Sequence, residues 1–516
     1  MTVQAIDSDT ETLHKLGYAQ ELLRRMGGFS NFAVSFTIIS ILSGCLTAYG
    51  GAMLNGGPID MNIGWPLVGI MVVIVGLAMA EVCSSYPTAG GLYYWSAKLG
   101  GKNAPAWSWF TGWFNLVGQI AVTAGIDGGL ALFASAFLNN WFGYPLDAPH
   151  ILLIYGIALF VHGLLNTFGV RLVALLNDIS VWWHITGVVI IVAVLLIVPK
   201  HHQSLGFIFF HFNNSTGAAF PGNIVYVFLI GLLLAQYTFT GYDASAHMTE
   251  ETRNAATAGP RGIVLSIVVS LFAGWVLLIG VTSAIQNYGT ESIAAVPAAQ
   301  VFIDAVGGGT GQFLLLICIG AQFYCGMSSV TANSRMIYAF SRDGAVPGHQ
   351  LWARINKRTR TPTNSIWLAV VGAFVLWLPY LYNPAAYFAV ISIAVIGLYI
   401  AYGIPIFLRL RAGNSFEPGP WNLGKWSRPI GIVAVVWIVL ISILFVLPTI
   451  FPPTLGNLNY TIVAFAVVLG GTTIWWFVSA KNWFKGPRVQ GTAEELASIE
   501  AEFVGASVAR TPVSAG

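Results

Sequence analysis

Two polar runs interrupt otherwise apolar stretches of this chain. One is Ser43-Gly-Cys-Leu-Thr47, followed by Gly50-Gly51; the other is Thr238-Phe-Thr-Gly-Tyr-Asp243. A helix broken in an apolar medium frees N–H and C=O groups, which are costly unless they meet a partner. The N-terminal end of a half-helix favours a carboxylate, and freed carbonyls favour an ammonium or a cation. Two such breaks facing each other suit a zwitterion. Taken singly, Gly and Ser in apolar helices also serve close packing, so the pairing carries the argument.

Ionisable residues inside the apolar stretches form the second group. A charge at mid-bilayer costs about 2.5–3.5 kcal/mol on insertion scales, so each such residue needs a reason. Asp127 stands among Gly125, Gly128 and Gly129; it suits either a substrate ammonium or a structural hydrogen-bond network. Asp243 follows the second break, where an N-cap belongs; a gating or proton role is the alternative. His184 can exchange a proton near neutral pH or rest as a neutral, hydrogen-bonded histidine. Glu81, Glu250 and Glu251 sit at stretch ends near basic residues, as an inner gate or as plain salt bridges. His162 and His247 have no partner legible in the sequence. Cys45, Cys83, Cys318 and Cys325 read as free, buried thiols, and no metal cluster is expected.

These residues are carried by a membrane-embedded framework. Of 516 residues, 56% are hydrophobic and 8% charged, whereas soluble domains carry about 25% charged residues. The net charge of +3 gives no case for nucleic acid. Twelve spans are expected, near 29–53, 62–84, 106–138, 150–170, 177–199, 223–249, 261–284, 312–338, 365–382, 386–409, 430–450 and 459–480. With the N-terminus inside, only Lys200 of 23 basic residues falls outside, as the positive-inside rule asks. Both termini are therefore expected in the cytoplasm, with the protein multi-pass in the plasma membrane. Segment 1–28 and the tail 481–516 flank it, the tail read as mobile with a short helix near Ala493–Phe503. Pro87–Leu99 reads as a turn and an interfacial helix, and Pro297–Asp304 as an amphipathic one.

Three motifs resemble the amino acid–polyamine–organocation superfamily, in its amino acid/choline transporter branch with the GABA permeases and plant bidirectional amino acid transporters. They are Glu81-Val-Cys-Ser-Ser-Tyr-Pro-Thr-Ala-Gly-Gly-Leu-Tyr-Tyr-Trp95, Gly241–Asn254 with Gly259-Pro-Arg-Gly262, and Ala332–Pro347. The resemblance implies an all-α membrane protein of leucine-transporter fold: a 5+5 inverted repeat (29–199 and 223–409) plus two helices (430–480). It implies substrate contacts at Ser43, Gly44, Cys45 and Thr47 in helix 1, and at Tyr237, Phe239, Thr240 and Gly241 in helix 6. It also implies a proton site at His184, counted from Asn177, near Ser328 and Ser329 of helix 8.

The resulting expectation is a secondary permease for amino acids or GABA, by proton symport or exchange, with choline-like cations and polyamines as the alternative. One proton entering with a zwitterion moves one charge. A potential of about 100 mV then supplies about 2.3 kcal/mol, a gradient of about 50-fold. No ATP-binding run and no cofactor are expected. The scattered histidines offer no constellation for a membrane enzyme.

Overall fold

The computed structural model describes residues 8–168, 170–214, 224–448, 454 and 459–508. The expected features at Met1–Asp7, at 215–222 of the external loop, at Thr449 and Ile450 of span 11 and beyond Val508 lie outside the described residues. Eleven helices among them are long and apolar enough to cross a membrane. In chain order, spans 1 to 5 are Gly28–Thr47, Asp60–Ser85, Gly101–Phe142, Ala148–Phe168 and Leu172–Ile197. Spans 7 to 9 are Ala255–Ser283, Gly308–Arg342 and Thr363–Leu381. Spans 10 to 12 are Ala386–Ser415, Gly424–Leu444 and Thr461–Trp483. The expected sixth span is instead the shorter helix Ile224–Thr238, a bend, and Ala244–His247.

Large apolar side chains such as Phe160, Trp182, Val189, Phe272, Val436 and Val467 are exposed. Such a belt requires a lipid solvent. Inward faces are lined by small residues, which let backbones approach. Gly118 of span 3 and Gly397 of span 10 meet so closely that a Cβ at 397 would lie 2.9 Å from the Gly118 Cα. Span 3 is thereby the central post, packed most extensively on spans 10 and 8. Span 7 holds span 2 and the first half of span 1 on the other side.

Span 5 begins earlier than expected, since its helix runs Val170–Ile197, and His184 consequently sits at its middle. Helix Leu92–Leu99 forms, but Leu92, Tyr93, Tyr94 and Trp95 are buried rather than interfacial. Their polar tips explain this: Tyr93 Oη donates to Asp343 and Tyr94 Oη to the Leu16 carbonyl, both inside the protein. The tail makes contacts with the rest of the chain. Gln490 N–H donates to the Gly17 carbonyl, His14 lies 2.7 Å from Glu500, and Lys357 pairs with Glu502. Both chain ends thus cross one end of the bundle, here called the terminal face. Helix Pro297–Val306 lies at the other end, where Pro297 abuts Gly50.

Candidate functional site

Both expected interruptions exist, and one lies elsewhere than expected. In span 1 the backbone turns at Ser40 (φ 36°, ψ 80°), separating half-helix 1a (Gly28–Ile39) from 1b (Ile41–Thr47, continued by Tyr49–Leu54). Ser43, Gly44, Cys45 and Thr47 are therefore helical, inside 1b, and not the break itself. A left-handed serine is unusual, and its hydroxyl is fixed by His184 Nε2 at 2.7 Å. In span 6 the helix ends at Thr238, Gly241 takes φ +90°, and helix resumes at Ala244. A Cβ at Gly241 would meet Ile38 Cγ2 at 2.2 Å, so the two breaks touch. At Gly44 a Cβ would fall 2.8 Å from the Thr238 Cα, which brings 1b onto the first half of span 6.

Many of the groups freed by the breaks are met by the protein. Cys325 Sγ donates to the Ile38 carbonyl at 3.2 Å. Ser35 Oγ donates to the Tyr242 carbonyl and accepts from Ser245 N–H. That serine, rather than Asp243, caps the resumed helix, and Asp243 makes no side-chain cap. Its carboxylate instead accepts from Gln119 Nε2 and Tyr402 Oη, each at 2.8 Å, with His247 at 3.3 Å. His247 also reaches the Ala89 carbonyl, and so ties span 6 to the loop before Leu92.

His184 is buried, with Nδ1 2.8 Å from the Ser180 carbonyl. A carbonyl only accepts, so Nδ1 carries hydrogen and neutral Nε2 accepts from Ser40. Ser328 and Ser329 do not bond this ring: Ser328 Oγ donates to Asn177, and Ser329 pairs with Thr123 at 2.8 Å. Asp127 faces His162 at 3.1 Å and the space beside Gly326. Gly125 and Gly129, on the other side of span 3, touch Tyr237 and Thr47. The Asp127 carboxylate is thus turned away from 1b. Phe239 is turned away too, its ring 4.3 Å from that of Trp65 in span 2.

Sequence reasoning named Tyr237 but missed two polar side chains, Gln236 of span 6 and Gln322 of span 8. Tyr237 Oη, and both amide atoms of Gln236 and of Gln322, are buried without hydrogen-bond partners among the described residues. Gln322 lies one turn before Cys325 on span 8. Buried polar groups are ordinarily satisfied, so each of these atoms is left able to take a further hydrogen bond. The available signal was an amide inside an apolar span.

Access to this region is unequal. A cavity of about 780 Å³ is lined by residues from Ala48 to Asn55 at the far end of 1b, by Ile230, Gly231, Leu233 and Leu234 of span 6, by the end of span 9 and the start of span 10, and by the start of span 12. It lies on the side away from the chain ends, here called the cavity face. At the terminal face Arg335 pairs with Glu251 at 2.8 Å, Arg342 with Glu250 at 3.1 Å and Arg409 with Glu81 at 3.2 Å. Arg25 and Met26 N–H groups both donate to the Glu251 carbonyl. Asp343 accepts from Tyr18, Tyr93 and the Arg488 N–H; burial raises its carboxyl above the ordinary range, against the pull of Arg342.

Comparison with known proteins agrees with this architecture. The family model described as amino acid permease matches residues 26–469. The chain is 44% identical over 506 residues to amino-acid permease BAT1 of Arabidopsis thaliana, covering 94% of this chain and 97% of that one. The rice BAT1 homolog is 43% identical, covering 93% and 96%. A putative polyamine transporter of Candida albicans is 28% identical, covering 95% and 91%.

Proposed function

Because the chain belongs to the amino acid permease family of membrane transporters, we propose that it carries zwitterionic amino acids or GABA across the plasma membrane by alternating access. The observation that supports this most is the contact of the two breaks, the end of 1a at Ile38 to Ser40 against Gly241 in span 6. The first N–H groups of a helix have no intrahelical acceptor, so the start of 1b faces the substrate carboxylate. Ser43, Gly44, Cys45 and Thr47 form that wall; Tyr237, Thr240 and Gly241 form the other. Tyr237, Gln236 and Gln322 supply the unspent donors and acceptors.

On this reading the terminal face is cytoplasmic, and Glu81, Glu250 and Glu251 with their arginines close the inner gate. His184 is the coupling proton site. Protonation puts a second hydrogen on Nε2, which must then donate to Ser40, so the proton acts on the break in span 1 directly. Asp243 links that break's partner to spans 3 and 10. Ser328 and Ser329 hold span 8 to spans 5 and 3 around it.

A polycation would need unpaired acids near the cavity. Of the two acids expected there, Asp243 is held by Gln119 and Tyr402, and Asp127 faces His162 at 3.1 Å on the side of span 3 away from 1b. Among the described residues only one further carboxyl, Asp60, stands behind the cavity wall, fewer than the several amines of a polyamine call for; that favours a zwitterion. Counterflow in proteoliposomes tests the reading: internal neutral amino acid or GABA should accelerate uptake of the labelled solute, saturably. Acceleration by spermidine or choline alone would overturn the substrate assignment, and no counterflow with any of them would overturn the carrier.

A further inference from the structure

Asp60 opens span 2 beside the cavity, and unlike Asp127, which faces His162, it has no ion-pair partner among the described residues. The residue is 2% exposed, and neither carboxyl oxygen has a hydrogen-bond partner among the described residues. Two glycines make room for it. A Cβ at Gly56 would lie 1.8 Å from Asp60 Oδ2, and one at Gly231 would lie 1.5 Å from the same oxygen. The Asn55 carbonyl oxygen converges on the same space, 2.3 Å from that point at Gly231. Asn55 and Gly231 both line the cavity, so the carboxyl stands directly behind its wall.

Two acceptor oxygens brought together without a donor repel each other, and a proton on one of them turns repulsion into a hydrogen bond. No basic side chain pairs with Asp60 among the described residues. The titratable groups around it are Tyr288, from the loop after span 7, and His211, whose ring stands 5.3 Å from that of Tyr288 and whose carbonyl accepts from Ile59 N–H. Gly231 and Phe228 of span 6 and Asn55 and Gly56 of span 1 bring no charge. A hard metal ion such as calcium takes about 6–8 oxygens; the carboxyl and one carbonyl are what this pocket presents.

We propose that Asp60 is a proton-binding site of the transport cycle. In this conformation its carboxyl holds a proton against the Asn55 carbonyl, and the proton leaves when Gly231 and the first half of span 6 move off it and water enters. The proton then passes to cavity water, and returns from it when the wall closes. This assignment rests on the carrier reading and adds a site separate from His184.

The test uses the full-length protein, purified and reconstituted. Infrared spectra of the wild type at about pH 8 should contain a deuterium-sensitive carboxylic-acid C=O band that Asp60→Asn lacks. Asp60→Asn keeps the shape of the protonated acid. It should bring the counterflow rate at about pH 8 several-fold closer to the rate at about pH 5 than in the wild type, the pH dependence that remains belonging to His184. A wild type without the band, an Asp60→Asn variant that retains the band, or one with an unaltered pH profile would overturn the proposal. So would a sodium dependence of the wild-type rate that the variant loses. Absence of counterflow in the wild type would instead count against the carrier reading, and the infrared band would still decide the protonation of Asp60.

Discussion

The two ends of the bundle are built on opposite principles. At the terminal face three arginine–glutamate pairs, the N-terminal segment and the tail are bolted together by charge-assisted hydrogen bonds. At the cavity face the walls are mostly apolar, and the buried acid Asp60 has no partner among the described residues. Charged pairs make a seal that is strong when both partners are present and costly when one is missing. Apolar walls slide more cheaply. The difference teaches which end is locked in this conformation and what kind of event opens each: separation of ion pairs at one, movement of half-helices at the other.

The largest expected effect strikes the sealed end. Arg335→Met leaves Glu251 buried without its partner, which costs the closed terminal face about 3–5 kcal/mol. Labelling of a cysteine placed at Ser334 should rise sharply, and Arg335→Met with Glu251→Gln should recover most of the protection. Equal labelling of single and double variants would show that the pair does not hold the face.

Next comes the junction that both ends share. Gly241→Ala places a side chain in a left-handed conformation and against Ile38, and such strain costs about 1–3 kcal/mol. Counterflow should fall by about tenfold or more; full activity would mean that the span 6 break does not need its geometry.

A subtler change separates coupling from passage. His184→Ala should lose proton-driven accumulation by a larger factor than it loses exchange, measured in the same vesicles with and without a pH gradient. Parallel losses would place His184 in the framework instead of the coupling.

The smallest effect belongs to a loop at the cavity face. Burial pushes the Glu291 carboxyl up to about 7. An acid whose folded pKa is raised contributes stability below its unfolded value, near 4.5, and loses it as pH climbs through about 7. Wild-type melting should therefore drop between those values by about 1–2 °C more than that of Glu291→Gln. A larger drop in the variant would reverse the sign argued here.

How much of this was legible in the sequence depended on where the determinant lay. The span 6 break could be read because Gly241 needs φ +90°, a local demand that only glycine meets cheaply. The span 1 break could not, because Ser40 is bent by a bond to His184, far away in the chain. The glycines that drew attention there serve close approach: Gly44 to Thr238, Gly50 to Pro297 and Gly51 to Phe388. Asp243 stands where an N-cap would, yet span 3 and span 10 claim its carboxylate, and Ser35 of 1a takes the capping role. The gate acids were visible as charges at span ends; which arginine each would meet required the fold. Asp60 escaped notice because its position at a span end looks ordinary until the Gly56 and Gly231 backbones are seen to enclose it.

The central claim is that solute binding at the two breaks exchanges the open face for the sealed one. Spin labels at Leu54→Cys and Asn383→Cys, across the cavity, report it by electron–electron resonance, in a background where the four buried native cysteines are replaced by alanine. Addition of a transported amino acid should shorten that distance and, for a second pair at Lys357→Cys and Trp426→Cys on the terminal face, populate a longer one. Distances that stay fixed at both ends under saturating solute, in protein shown to bind it, would contradict the account.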